Sequence, residues 1–238
     1  MRYRRFFTTV VAALFAAFAL CGCAGGKFSP DILPHLPTAP DASPQRPIDG
    51  RDAQALSELP SGQLSAQQFR ARVDELYAVV VFDGKKPIFA ADDPVEPIYV
   101  GARAVLDRYI LNGWHADADG EYERVAVLDD WLGGKIALDF ELYSKFQEGA
   151  DDLASDPAFH IDGVFLYGRA VCDGLSRAFN FLCAIENIDS VRVTGSFGTA
   201  PHAWNKVKLQ NKWYNVDVTS DAAYYTVGGK LYKQLSHG

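Results

Sequence analysis

Cysteine is scarce in this sequence. Four cysteines are present, and only Cys172 and Cys183 lie outside the apolar N-terminal segment. These two are eleven residues apart in a pattern typical of one helix, which separates them by about 16 Å along its axis. A disulfide needs Cα atoms within about 7 Å of each other. If the helix forms, a disulfide between them is excluded, and the body of the protein must be stabilised by packing.

Basic residues are also few. Three of the 23 Lys and Arg lie in the first 26 residues, which leaves 20 basic residues against 30 acidic ones in residues 27–238. Binding to a phosphate backbone needs clustered Lys and Arg, so nucleic acid is not an expected partner. The cysteines and histidines also lack the spacing of a zinc site, and we expect neither a metal nor another cofactor.

The sequence lacks an apolar run of the ~20 residues that usually span a bilayer. Its longest candidate, Phe6 to Leu20, follows three arginines and precedes Leu20-Cys21-Gly22-Cys23. This order is typical of an export signal, and its end resembles the bacterial lipobox. The resemblance implies cleavage before Cys23 and diacylglyceryl attachment to the sulfur of that residue. We therefore predict a lipoprotein signal peptide at residues 1–23; a short membrane helix is the alternative.

The lipobox interpretation also predicts where the mature protein is found. It is expected to be exported and anchored by lipid to the cell membrane, facing outside the cytoplasm. Seven of the twelve prolines lie between residues 25 and 60, and proline favours extended, poorly hydrogen-bonded backbone. Residues 24–64 are therefore predicted to be a flexible linker, and residues 65–238 the folded domain.

The folded domain shows helical periodicity first and a period of two later. Four helices are predicted: one after Ser65, one from Pro97, one that begins after Asp119 or Gly120 and ends at Gly133-Gly134, and one that begins at Val171 to Asp173. Strands are predicted at 190–194, 202–209 and 212–219. This order predicts an α+β fold in which N-terminal helices pack on an antiparallel sheet.

Cys172 is the candidate nucleophile. It lies at a predicted helix start, where free amides and the helix dipole favour a thiolate. The neighbouring Gly174 is expected to let a substrate backbone approach. The alternative for Cys172 is a small core residue, which is the role that we predict for Cys183.

A predicted hairpin brings an imidazole and a carboxylate together. If Leu209 and Lys212 face each other across Gln210-Asn211, Asp217 lies opposite Trp204. His202 is then a diagonal neighbour of Asp217, about 7–8 Å away on the same face. The other face is mostly apolar and is predicted to enter the core; it comprises Ala203, Asn205, Val207, Leu209, Tyr214, Val216 and Val218.

Taken singly, His202 and Asp217 are more often a structural histidine and a surface acid. Their joint placement beside a helix-start cysteine favours a nucleophile, a base and an orienting acid. His115 and His160 are rival bases, but neither has a carboxylate placed by equally clear local geometry.

Three blocks of this sequence resemble the transglutaminase-like superfamily of papain-like folds. The first block is the helix pattern of residues 121–132. The second is the segment Ala170-Val171-Cys172-Asp173-Gly174, followed by Ala178-Phe179 and Leu182-Cys183. The third consists of two segments, His202-Ala203-Trp204-Asn205 and residues 213–219. Their order and spacing agree with the family over roughly residues 98–221. The resemblance implies a papain-like core with Cys172 as nucleophile, His202 as general base and acid, and Asp217 as the orienting acid.

The resemblance also implies the activity, that of a thiol enzyme acting on amides of a protein or peptide substrate. Water as acceptor makes a cysteine peptidase, which we favour; a lysine amine makes a cross-linking transglutaminase. A surface-tethered binding module without turnover is a further alternative. The sequence departs from the family at Ala170, Leu175 and Ser220. It also stops 21 residues after Asp217, so we expect either a fragment or a shortened sheet.

Overall fold

The computed structural model of the chain describes residues 47–111, 121–149, 153–198, 200–221, 224–227 and 230–233. These residues lie within one compact unit of the chain. They form helices α1 (Ala66–Tyr77), α2 (Glu96–Leu111), α3 (Glu121–Lys135), α4 (Phe140–Gln147), α5 (Ile161–Tyr167) and α6 (Cys172–Ile185). The strands are β1 (Ala53–Ala55), β2 (Lys86–Ile88), β3 (Ala137–Asp139), β4 (Arg169–Ala170), β5 (Ser190–Phe197), β6 (Ala200–Leu209), β7 (Lys212–Val216), β8 (Tyr224–Val227) and β9 (Lys230–Lys233).

The predicted α+β fold, with helices packed on an antiparallel sheet, is confirmed. Strands β5, β6 and β7 form that antiparallel sheet, in the order β5-β6-β7. Two features were not predicted. The first is a second sheet, of order β4-β3-β8-β9, in which β3 pairs in parallel with β4 and with β8. The other is a two-stranded sheet in which β1 and β2 pair in parallel.

Helix α6 is the centre of the core. Its Phe181 is fully buried, and its ring centroid lies 6.3 Å from that of Tyr77 on α1 and 6.5 Å from that of Tyr99 on α2. The ring of Phe165 on α5 is 6.2 Å away. A helix enclosed on several sides by other elements loses most of its freedom to tilt or slide, because the interior is close-packed. The N-terminus of α6 is therefore held in place.

Helix α1 begins after Ser65, as predicted, and a capping box defines its N-terminal end. The Ser65 hydroxyl accepts a hydrogen bond from the backbone N–H of Gln68, and the Gln68 side chain accepts one from the N–H of Ser65. The folded region nevertheless extends to earlier residues than Ser65. Ile48 and Leu56, which lie inside the predicted linker, are buried in the core. Burial of these apolar side chains stabilises folded structure there in spite of the nearby prolines.

Helix α3 passes through the glycine pair that was predicted to end it. It continues to Lys135, and the N–H of Ile136 still donates to the carbonyl of Leu132. Trp131, Leu132 and Ile136 are buried, so tertiary packing outweighs the poor helix propensity of glycine. The predicted end at Gly133-Gly134 is wrong; the predicted start at Asp119 or Gly120 lies outside the described residues.

An ion pair links α1 to α5. The guanidinium of Arg70 donates to both carboxylate oxygens of Asp162, at 2.6 and 2.8 Å. The Asp162 side chain is fully buried, whereas that of Arg70 is 16% exposed. Two parallel hydrogen bonds satisfy the buried carboxylate and set the separation of the two helices.

The predicted register of the β6–β7 hairpin is confirmed. Leu209 pairs with Lys212, and the ladder continues to Asn205 opposite Val216. Gln210 and Asn211 both have positive φ, at 48° and 65°, as a two-residue turn of type I′ requires.

The buried face of the hairpin follows the prediction along β6 but not throughout β7. Ala203, Asn205, Val207 and Leu209 are buried, as is Val218 beyond the hairpin. Tyr214 is 48% exposed, because β7 is the outer strand of this sheet and most of its side chains reach solvent.

The predicted signal peptide, with Cys23, and residues 24–46 of the predicted linker lie outside the described residues. No helix of the described part has the length and apolar character that crossing a membrane requires.

Candidate active site

Cys172 is the first residue of α6. It follows Val171, whose extended backbone forms the N-cap without a side-chain cap. The N–H of Val171 donates to the carbonyl of Ala158 at 2.9 Å, which fixes the point where the chain enters the helix. Cys172 is 8% exposed. Its sulfur therefore lies at the positive end of a helix dipole, in a largely buried position.

Gly174 has a different role from the predicted one. A Cβ atom built on Gly174 would lie 2.1 Å from the carbonyl oxygen of Ala158, which is part of the backbone. Glycine is thus required for close packing of the helix start on the chain at Ala158. The expectation that Gly174 makes room for substrate is wrong, since that space is filled by the protein itself.

His202 and Asp217 are hydrogen bonded to each other. Nε2 of His202 lies 2.8 Å from Oδ2 of Asp217, and the two side chains are 12% and 30% exposed. The Ser220 hydroxyl donates to the same carboxylate oxygen at 3.2 Å. The Ser220 hydroxyl thus helps to hold the carboxylate of Asp217 in orientation.

The indole ring of Trp204 is stacked beside the imidazole of His202. The two rings are nearly parallel, with centroids 5.9 Å apart and an interplanar angle of 18°. Gly195 on β5 pairs with His202, and a Cβ there would lie 2.8 Å from the Trp204 ring. The glycine leaves the space that the indole occupies, and the indole in turn restricts rotation of the imidazole.

Two contacts bring β6 against the start of α6. The backbone amide of Ala203, the residue after His202, is close enough to the thiol of Cys172 to lower its pKa through hydrogen bonding. The buried side chain of Asn205 donates through Nδ2 to the carbonyl of Ser176 at 3.0 Å. The start of α6, which carries Cys172, thus lies against the strand that carries His202, and His202 is hydrogen bonded to Asp217 just after β7.

The thiol of Cys172 is not predisposed to ionise. Burial raises its pKa above the ordinary value, and the negative charges of Asp173 and Asp217 raise it further. The amides of Ala203 and Asp173 oppose this by hydrogen bonding to the sulfur, without cancelling it. The expectation of a thiolate favoured by the helix start is therefore wrong, because desolvation outweighs the helix terminus.

Asp173, next to the thiol, is held by two arginines. Arg192 on β5 donates through Nε to one carboxylate oxygen at 2.5 Å, and Arg177 donates to the other at 3.2 Å. This cluster ties the first turn of α6 to β5. The positive charges also offset the carboxylate beside the sulfur, which limits its effect on Cys172.

The rival base His160 falls outside this constellation. Nε2 of His160 lies 2.8 Å from the carbonyl oxygen of Ala154, and its Nδ1 lies 3.4 Å from a carboxylate oxygen of Asp74. Both ring nitrogens are engaged there, at the start of α5. His115 lies outside the described residues. Among the residues that the structure describes, no group of three or more His, Cys, Asp and Glu could hold a metal ion.

Tyr143 is a neighbour of the site that sequence reasoning missed. Its hydroxyl donates to the carbonyl of Pro201 at 2.8 Å, just before His202. Burial raises the pKa of Tyr143, and the charge of Cys172 raises it further. No periodicity or motif marks Tyr143 as a site residue, because only tertiary packing brings α4 to this position.

Comparisons with known proteins give partial likenesses. No family model matches the chain. The kyphoscoliosis peptidase of Mus musculus is 27% identical over 115 residues, a match that covers 43% of this chain and 16% of the peptidase. The chain is thus similar to part of a peptidase.

Two solved structures are also similar in part. A TGase structure has a TM-score of 0.44 and 17% identity, and the match covers 50% of this chain and 32% of that one. A candidate cysteine protease from Cytophaga hutchinsonii has a TM-score of 0.37 and 15% identity, with 56% and 44% covered.

Cys183, the other thiol of the domain, is predicted to make the protein sensitive to alkali. It is fully buried, and burial raises its pKa from 9.0 to about 12. In the unfolded chain the thiol ionises near its ordinary pKa, so this contribution to stability is present below about pH 9 and is lost as the pH rises towards 12. At about pH 10.5 the loss should be roughly 2 kcal/mol.

Urea unfolding at neutral pH and at about pH 10.5 measures this loss. Cys183→Ala serves as the control, since it is less stable at neutral pH but lacks the titrating thiol. Its free energy of unfolding should therefore fall less than that of the unmodified protein over the same interval. Equal falls in the two proteins would show that Cys183 is not responsible.

Proposed function

We propose that this protein is a thiol enzyme that transfers the acyl group of protein or peptide amides, with water as the usual acceptor. Cys172 is the nucleophile, His202 the general base and acid, and Asp217 the acid that orients the imidazole. One observation carries the proposal: the imidazole of His202 is hydrogen bonded to Asp217 at 2.8 Å, and the next residue, Ala203, is close enough to the Cys172 thiol for its backbone amide to lower the pKa of that thiol.

Each group has a defined task at the start of the reaction. Burial raises the pKa of Cys172, so the sulfur carries its proton until a base removes it. Asp217 engages Nε2 and favours the tautomer with the proton on that nitrogen. Nδ1 of His202 is then the nitrogen that takes the thiol proton as the sulfur attacks.

The rest of the cycle follows from the same three groups. The sulfur bonds to the amide carbonyl carbon, and the Cys172 N–H is the first donor to the resulting oxyanion. The carbon–nitrogen bond breaks, the imidazolium gives its proton to the leaving amine or ammonia, and a thioester remains. His202 next removes a proton from water, which attacks the thioester; the carboxylic acid leaves and the thiol regains a proton.

Partial likenesses support this chemistry at a coarse level. The mouse relative is named a peptidase, which favours water as acceptor over a lysine amine, although the match covers only 16% of that protein. A lysine amine in place of water would make the reaction a protein cross-link. The lipobox-like sequence at Cys23 supports the proposal that the reaction takes place at the cell envelope, outside the cytoplasm.

Mass spectrometry of casein incubated with the purified protein, with and without an added primary amine, tests the proposal. We expect new peptide ends in both conditions, and none with Cys172→Ala. A mass gain on glutamine in the presence of the amine would identify transamidation instead. Unchanged casein in all samples would support a binding module, and identical products from Cys172→Ala would contradict the thiol mechanism.

A further inference from the structure

The segment that carries His202 has limited support within its own sheet. Strand β7 pairs with β6 only as far as Asn205. Residues 200–204 of β6 are paired with β5, on one side. A hydrogen bond from outside the sheet can therefore have a large effect on the position of this segment. The hydroxyl of Tyr143 on α4 supplies such a bond, to the carbonyl of Pro201 at 2.8 Å.

Tyr143 also packs close to the segment that leads into α6 and Cys172. It packs against a small apolar cluster, separate from the main core, that includes Val171, the residue before Cys172. The other buried members of that cluster are Leu142, Ala158 and Phe159. Ala158 is also the residue whose carbonyl accepts the N–H of Val171. The tyrosine is thus anchored on the same surface that fixes the start of α6.

The two ends of this side chain connect the two halves of the site. The ring packs against the apolar cluster that includes the residue before Cys172, and the hydroxyl is hydrogen bonded to the residue before His202. The charge of Cys172 also raises the pKa of the phenol.

We propose that Tyr143 is a positioning residue: its hydroxyl holds the start of β6 so that the imidazole of His202 stays within reach of the Cys172 thiol. This inference rests on the proposed function, because it assigns His202 as the base for that thiol. It predicts that the hydroxyl matters only while His202 is present.

The rate at which iodoacetamide alkylates Cys172 near neutral pH tests this inference without a known substrate. Trypsin cleaves after Arg169, Arg177 and Arg192, so Cys172 and Cys183 are found in different peptides and can be followed separately. The variants are Tyr143→Phe, His202→Ala and the double variant. Tyr167→Phe, on the exposed side of α5, is the matched control.

Tyr143→Phe should slow alkylation of Cys172 by about three- to tenfold, the range expected for loss of the hydrogen bond to Pro201. In the His202→Ala background it should cause no further slowing, since there is no imidazole left to position. Tyr167→Phe should leave the rate unchanged. Thermal unfolding of each variant, measured in parallel, checks that the rates refer to folded protein.

The outcomes separate the two proposals. If His202→Ala does not slow alkylation of Cys172, His202 is not the base for that thiol and the proposed function is contradicted. If His202→Ala slows it but Tyr143→Phe does not, only the positioning role is overturned. Equal slowing by Tyr143→Phe in both backgrounds would also overturn it, because the hydroxyl would then act on Cys172 or on the fold rather than through His202.

Discussion

Replacing Cys172 by alanine should lower the rate of casein cleavage by about a thousandfold or more. The sulfur is the atom that bonds to the acyl carbon, and no other described cysteine can replace it: Cys183 is fully buried in the core. What activity remains would come from water attacking a bound substrate. The initial rate at which new peptide ends appear, measured at equal protein concentrations, gives the ratio.

Cys183→Ala is the matched control for this experiment. It removes the other thiol of the same helix, so it tests whether any effect depends on position rather than on the loss of a cysteine. We expect its rate to stay within a few-fold of the unmodified protein at a temperature where both are folded. Similar losses in the two variants would indicate that packing of α6, and not the Cys172 sulfur, limits the reaction.

Replacing Arg70 by methionine should reduce the free energy of unfolding by about 3–5 kcal/mol. The variant keeps an apolar stem of similar length but removes both hydrogen bonds to the fully buried carboxylate of Asp162. That carboxylate would then be uncompensated in a medium of low polarity. Urea denaturation at neutral pH, followed by circular dichroism, measures the change.

Lys145→Ala provides the comparison, because Lys145 forms an exposed ion pair with Glu141 on α4. An exposed pair contributes little, so the free energy of unfolding should change by less than about 1 kcal/mol. If the Arg70 and Lys145 variants lose similar amounts of stability, burial of Asp162 does not have the importance assigned to it here.

The part of the site most fully predicted from sequence is the hairpin. Alternation places His202 and Asp217 on one face once the turn is known, and Gln210-Asn211 fits a two-residue turn. The start of α6 at Cys172 was also predictable, because helical periodicity begins there. These features depend on residues close together in sequence, which is why local patterns are sufficient to find them.

Other features of the fold and of the site depend on tertiary contacts between elements far apart in sequence. Local sequence patterns carry no information about those contacts. The pKa of Cys172 is set mainly by burial, so a prediction from the helix terminus alone has the wrong direction. The contact of Tyr143 with Pro201 joins residues 58 positions apart. The buried Ile48 lies in a proline-rich stretch whose composition suggests no folded structure.

Residues 172, 202 and 217 belong to elements that meet only when the sheet docks on α6, through contacts such as that of Asn205 with Ser176. A newly synthesised chain that has not yet folded therefore holds its sulfur, ring and acid as separate, ordinary groups. Reactivity would arise late, with the closing of the tertiary structure. Such a polypeptide needs no inhibitory segment to remain harmless while it is unfolded.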